Sequence, residues 1–408
     1  VGYNALAANT TGANNTAVGY EALDANTTAD RNTAIGFQAL TSNTTGTRNT
    51  AAGFYALATN TTANDNTAFG DAALYLNTTG TYNVALGRAA LSANTTASNN
   101  TAVGHDSLLS NTTGANQVAV GYQALYAEDT EGSLSAVGYQ AMRSNNSGVR
   151  NTAVGFEASE SNVSGGSNTA VGYQALYSNT ADGNSGFGND ALRNNTSGQK
   201  NTALGNEALE NNTTESDNTA VGHHSLTTNT GDQNTAVGSL ALEANSTGAK
   251  NTAVGYQALT DCTTGDFNTA IGRESGRDMT TGDGNTFLGR SAGEQMTTGQ
   301  NNCFIGNDAG RSGQPGGTVT TQNNRICLGN NQIQSFSCLV SLTATSDARD
   351  KTDITDFTPG LSWINNYNLP TASSTTLGGI KVGSRLTISS GVLEADVQGG
   401  TTVFTGLT

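Results

Sequence analysis

A glycine returns along this chain at a nearly fixed interval. It stands at positions 2, 19, 36, 53, 70, 87, 104, 121, 138, 155 and 172, then at 188, 205, 222, 238, 255, 272, 289 and 306. The step is constant except in two places, from 172 to 188 and from 222 to 238, where it is one position shorter. The surrounding phrase recurs too, as Asn15-Thr16-Ala17-Val18-Gly19-Tyr20, Asn32-Thr33-Ala34-Ile35-Gly36-Phe37 and Asn251-Thr252-Ala253-Val254-Gly255-Tyr256. A unit this short cannot hold a helix pair or a leucine-rich repeat, and no 3.6-residue apolar stripe runs through it. The period therefore predicts one coil of a β-solenoid, with two short strands per coil joined by Asn-Thr-Thr-Gly corners. Nineteen such coils, stacked at the inter-strand spacing, make a rod about 90 Å long.

Three apolar columns support that reading. Before the glycine stand Val18, Ile35, Phe69, Leu86 and their successors to Ile305. Three residues after it stand Ala22, Ala39, Ala56, Ala73 and Ala90, and four after it Leu23, Leu40, Leu57, Leu74 and Leu91. No coil can bury enough surface alone, so the coils are expected to share one thin core and to be stabilised by their neighbours. Two asparagine columns, Asn15-Asn32-Asn49 and Asn26-Asn43-Asn60, are expected to form amide ladders along the rod and to turn its corners. Both shortened steps lose their residue at a corner, Asn179-Thr180-Ala181-Asp182-Gly183 and Asn229-Thr230-Gly231-Asp232. That marks the corner as a surface turn.

Composition fits a thin rod. Hydrophobic residues make up 35% and charged residues 12%, both low for a globular domain. All three prolines (Pro315, Pro359, Pro370) lie beyond residue 314, as expected if every earlier coil is hydrogen-bonded on both sides. A net charge of −15 argues against a surface that tracks phosphates, so nucleic acid is not an expected partner. No run of 18 apolar residues exists, so no membrane-spanning helix is expected. The chain opens at Val1 inside a repeat, which reads as a fragment whose N-terminal attachment region lies elsewhere.

The regular array has one rough coil, Ala127-Glu128-Asp129-Thr130-Glu131-Gly132-Ser133-Leu134, where the corner turns acidic and Leu134 replaces an asparagine. From Gly272 the coil changes type: Gly276, Gly293 and Gly310 replace the leucine, and the rod is expected to narrow or tighten there. Arg273, Arg290 and Arg311 either face acidic neighbours or stay solvated. Residues 312–324 are an insertion at a corner, carrying the next glycine to Gly329. Residues 325–345 alternate around Ile326, Leu328 and Ile333 as a β-rich neck.

Candidate sites are sparse. Cys262, Cys303, Cys327 and Cys338 form no C-x-x-C pair and are expected to be reduced, mostly buried residues. His105 and His223 share the column after the glycine, seven coils or about 34 Å apart, so they cannot hold one metal within a chain. That column also carries Tyr20, Phe37, Phe54, Tyr122, Tyr139, Phe156, Tyr173 and Tyr256, which read as a stacked aromatic ladder or, secondly, as a sugar-binding platform. Asn-x-Thr/Ser recurs in the corners, as in Asn26-Thr27-Thr28 and Asn94-Thr95-Thr96. The ladder accounts for these without glycan. No metal or cofactor pattern, catalytic triad or carboxylate pair has supporting context, and the chain is expected not to be an enzyme.

The Asn-Thr-Ala-Val-Gly-x-x-Ala-Leu repeats resemble the head repeats of trimeric autotransporter adhesins and, more closely, the Asn-Thr-Ala-x-Gly arrays of phage tail-fibre proteins. The resemblance covers roughly 310 of the 408 residues and implies an all-β, left-handed β-roll in a parallel homotrimer. A second resemblance lies in Thr345-Ser346-Asp347-Ala348-Arg349-Asp350-Lys351-Thr352-Asp353-Ile354 and Gly360-Leu361-Ser362-Trp363-Ile364-Asn365, which look like the opening of the endosialidase-type intramolecular chaperone. It implies self-cleavage before Ser346 assisted by Lys351; a partly desolvated lysine can serve a serine as base. The chain then departs from that family. Where the family continues into a charged, helix-rich domain, this sequence carries Leu369-Pro370-Thr371-Ala372-Ser373-Ser374. Cleavage, if retained, would be vestigial. The last piece, with Leu377-Gly378-Gly379-Ile380-Lys381, resembles short β modules of phage virion proteins.

The expected organisation is a repeat array over 1–311, insertion and neck over 312–345, a chaperone-like segment over 346–367 and a β tip over 368–408. The expected role is a homotrimeric tail fibre of a phage virion. It would bind other tail or baseplate proteins through the missing N-terminal region, and a glycan or protein receptor on the host surface. The alternative is a bacterial cell-surface adhesin or a glycosylated extracellular filament.

Overall fold

The structure, a computed structural model, describes residues 1–129, 132–311 and 319–333, together with five strands beyond residue 375. The chain divides into two compact units, Val1–Gln334 and Ser335–Thr408. The described residues contain no helix.

The first unit is a β-solenoid. Nineteen short strands, from Thr16–Val18 to Ile326–Leu328, form one parallel sheet. Each pairs in register with the strand one coil on, as Thr16 with Thr33, Ala17 with Ala34 and Val18 with Ile35. The register survives both shortened steps, where Thr169 pairs with Ser185 and Thr219 with Thr235. It also survives the insertion, where Cys303 pairs with Ile326. Val319 is buried and its N–H donates to the Gly310 carbonyl at 3.2 Å, so the array closes over that corner.

Among the described residues of the array the expected second strand is absent. The residues after each glycine form turns, with left-handed φ two and four positions on, as at Gln38 (52°) and Leu40 (53°). The turns still tie coil to coil. The Gln38 N–H donates back to Tyr20 at 2.8 Å and the Leu40 N–H forward to Ala56 at 3.0 Å. Leucine rarely adopts this conformation. Here both sides of the turn are bonded to neighbouring coils and the side chain is fully buried, and that combination over-determines the strained backbone.

The core is thinner than the sequence columns suggest. It holds the alanine at the middle of most strands, the alanine three residues after the glycine and the leucine four after it. The aliphatic residue before the glycine points outward: alternation along Thr-Ala-Val sends Ala inward and both flanking side chains out. The expected narrowing beyond Gly272 is also corrected. As Leu259 gives way to Gly276, Gly293 and Gly310, the strand alanine gives way to Phe287 and Phe304, both fully buried. A Cβ on Gly276 would lie 2.6 Å from the Phe287 ring, and one on Gly310 2.6 Å from the Phe304 ring. The core keeps its filling, supplied from the opposite wall.

Both asparagine columns are buried ladders. In the corner column nearly every amide donates to the preceding side chain, Asn43 to Asn26 at 3.1 Å and Asn60 to Asn43 at 2.9 Å. It donates again to the carbonyl three residues on, Asn60 to Ala63 at 3.1 Å. In the other column each side-chain oxygen accepts the next asparagine's backbone N–H, Asn49 to Asn32 at 2.9 Å. Toward the end of the array Cys262, Met279 and Met296 replace the corner amides and are fully buried.

The second unit carries an antiparallel pair, Thr376–Leu377 with Ile380–Lys381, and a three-stranded antiparallel sheet, Leu386–Ser389, Val392–Val397 and Gly400–Val403.

Candidate interaction surface

The outer face of the sheet presents two side-chain columns, Thr16-Thr33-Thr50 and Val18-Ile35-Ala52 with their successors. The second column is apolar in all nineteen strands, from Val18 to Leu328. Thirteen of these residues are 36–50% exposed and the other six half-buried. At about 4.8 Å per coil this is an unbroken apolar line about 90 Å long, and monomeric proteins rarely leave such a patch uncovered.

Beside it runs the column after the glycine. Tyr3, Tyr20, Phe37 and Phe54 stack with centroids 5.1–5.3 Å apart, and Tyr122, Tyr139, Phe156 and Tyr173 stack at 5.0–5.3 Å. This is the expected ladder. Its geometry disfavours the sugar platform, because rings stacked on one another present edges outward while their faces cover each other. Polar residues break the ladder at Asp71, Arg88 and His105, at Asn189, Asn206, His223 and Ser239, and again from Arg273 onward.

The other edge of this face was not legible as a feature in the sequence. It is the column five residues before the glycine, with Arg31, Arg48, Asp65, Tyr82, Arg150, Lys200, Asp217, Lys250 and Phe267. All nine hold the left-handed conformation, and all but the half-buried Asp65 are exposed. The side chains vary, so no repeated letter marks this column. Its signal is the constant conformation.

The remaining candidates are structural. His105 lies 3.0 Å from Asp106 and 3.1 Å from Arg88. His223 stacks on His224 at 4.0 Å, and His224 contacts Glu207 at 2.8 Å and Glu243 at 3.6 Å. Among the described residues no three such groups converge on a metal position. In the rough coil Glu128 takes the ladder position, fully buried, and accepts from Asn145 at 2.6 Å. Arg273 pairs with Glu274 at 2.6 Å, while Arg277 (2.8 Å) and Arg311 (3.0 Å) hold the buried Glu294. Among the described cysteines all are free. Cys262 is buried and Cys303 and Cys327 are half-buried, more open than expected. Burial pushes the Cys262 thiol up to about 12. Ser346, Lys351 and Cys338 lie outside the described residues.

Most corner asparagines of the Asn-x-Thr sites, among them Asn26, Asn60 and Asn94, are fully buried; Asn9 is half-buried, and Asn14, Asn99 and Asn211, each before an Asn-Thr pair, are exposed. Most of the buried amide nitrogens make two donations, Asn94 to Asn77 at 2.7 Å and to Ala97 at 3.1 Å. No glycan can attach to the buried ones in the folded array. No family model and no curated protein matches the chain.

Proposed function

We propose that this chain is the shaft of a homotrimeric phage tail fibre, a structural virion protein that holds a host-recognition tip away from the particle. The observation that carries the reading is the apolar line before the glycines, unbroken through nineteen strands and exposed in the single chain. Burying it against further copies adds to the thin core each roll already has, since desolvating apolar surface contributes about 25 cal/mol per Å². The in-register ladders supply stiffness, and the chaperone-like opening at Ser346 favours a virion over a cell surface. The buried corner asparagines weigh against a glycosylated filament.

Native mass spectrometry tests it. A mass near three times 41.4 kDa, together with binding of the purified assembly to a bacterial host, is the expected result. A monomer, an open ladder of masses, or chains heavier by repeated hexose units would overturn it.

A further inference from the structure

The two edge columns of the outer face carry matched chemistry. In one coil they are six positions apart, and the strand alone separates them by roughly 10 Å, beyond the about 6 Å reach of a cation–π contact. Yet their residues vary together. Arg150 shares its coil with Phe156 and Lys250 with Tyr256, as Arg31 and Arg48 do with Phe37 and Phe54. Two coils invert the order: Tyr82 goes with Arg88 and Phe267 with Arg273. Four of the five cations in the first column thus lie level with an aromatic in the second; Lys200, level with Asn206, is the exception. Both aromatics of the first column lie level with an arginine.

Contacts within a chain account for part of this only. Lys250 lies over Phe267 at 4.9 Å and Arg273 over Tyr256 at 5.8 Å, each along its own column. Arg31 and Arg48, however, follow one another in their column, and Arg150 stands between Ser133 and Ser167. Their aromatic counterparts lie on the far edge of the same coil. A rotation about an axis parallel to the rod brings the first edge of one chain to the second edge of the next at the same height, which is the contact of a closed cyclic assembly.

We infer that copies of this chain pack in parallel about an axis along the rod and without stagger, joined by cation–aromatic rungs between opposite edges of neighbouring chains. The inference rests on the homotrimer reading, whose cyclic closure already excludes a stagger, and adds which edges meet and the chemistry that joins them. A stagger of one coil in either direction keeps only three of the six rungs. In one direction it exchanges the others for surface ion pairs of Arg48 with Asp71 and Asp65 with Arg88, and sets Lys250 against Arg273. Exposed ion pairs contribute little, and Arg48 and Asp65 already bind each other at 2.5 and 2.8 Å. The unstaggered arrangement places Asp65 level with Asp71, and that same arginine neutralises the first of them.

A double-mutant cycle on the full chain tests the register. Arg150→Ala, Phe156→Leu and their combination are compared with Arg150→Ala, Tyr173→Leu and their combination, one coil away. All three side chains are exposed, so the array folds without them. The readout is the subunit dissociation constant, from native mass spectrometry over a dilution series in urea. Distant sites within one chain add, so non-additivity reports a contact between chains. The expected result is coupling of at least about 3-fold for Arg150 with Phe156, the size of one cation–π contact, and less for Arg150 with Tyr173. Additivity at Phe156 in an intact oligomer overturns the rungs and leaves the homotrimer standing, whereas stronger coupling at Tyr173 means a stagger that no closed ring admits and overturns both. A chain that stays monomeric overturns both.

Discussion

Single residues set the spacing of this rod. The coil glycines from Gly2 to Gly306 take φ between about 114° and 155°, and a Cβ on Gly155 would stand 2.1 Å from the Gly172 carbonyl oxygen. Gly155→Ala must therefore push two coils apart as well as strain its own backbone. We expect it to lower the stability measured by denaturant unfolding by at least about 2 kcal/mol, whereas Thr152→Ala on the outer face stays within about 0.5 kcal/mol. Phe287 gives a complementary case. Phe287→Ala opens a cavity beside Gly276 and Gly293 and should cost about 3–5 kcal/mol. Adding Gly276→Ala should restore little, because one methyl group fills only a small part of the space a phenylalanine ring leaves; the left-handed φ of 59° there is one that Leu259 holds at 51° in the preceding coil. A combined variant as stable as the parent would overturn that volume argument. The core columns of Ala and Leu were readable from the sequence because burial leaves them nearly invariant. The outward turn of Val18 and its successors was not. Hydrophobicity argues for the inside, but so short a coil leaves room on that strand mostly for alanine, and the phenylalanines at 287 and 304 enter only where the facing leucine has become glycine.

At the scale of the element, the coil is closed by amides rather than by a second strand. Composition pointed to the amides, while the turn was hidden, because Gln38 and Leu40 are not residues that announce a left-handed φ. Asn60→Ala removes the donor to the Asn43 side-chain oxygen and to the Ala63 carbonyl, and takes from the Asn77 amide one of its two acceptors, leaving only the Gly80 carbonyl. An unsatisfied buried polar group costs about 1–3 kcal/mol, and that loss should appear as faster hydrogen exchange in the coils on either side. The array itself shows the alternative, since Cys262, Met279 and Met296 fill the same column without amides. Cys262 also gives this element a pH dependence. Its folded thiol is pushed from 9.0 to about 12 by burial, so the folded chain keeps a proton that the unfolded chain releases. The neutral-thiol contribution is complete below about pH 9 and is lost as pH rises toward 12, by up to about 4 kcal/mol at about 1.36 kcal/mol per pH unit. Cys262→Met should flatten that part of the stability profile relative to the parent. Identical alkaline slopes for the two proteins would assign the loss to other groups.

At the scale of the whole molecule, a solenoid adds its stability coil by coil, each unit contacting only its neighbours. Every strand of the array pairs only with the strands one coil before and one coil after it, across the shortened steps and the insertion alike. No strand pairing therefore depends on total length. Excision of Arg88–Gly104, one complete coil, joins Gly87 to His105 and leaves every column in register. The first unit should then shorten by about 4.8 Å and keep a single cooperative melt near that of the parent. Excising Arg88–Thr95 instead misaligns the corner against the strand, since a shift within the coil turns core positions outward. It should abolish the cooperative transition or confine it to the coils beyond the break. The comparison also bears on assembly. The whole-coil variant removes Arg88 and moves every later rung by one step in all chains alike, so a cyclic, unstaggered oligomer forms as before. If the complete-coil excision proved as damaging as the partial one, the array would be a single cooperative fold with a fixed length, and the additive account of its stability would fail with it.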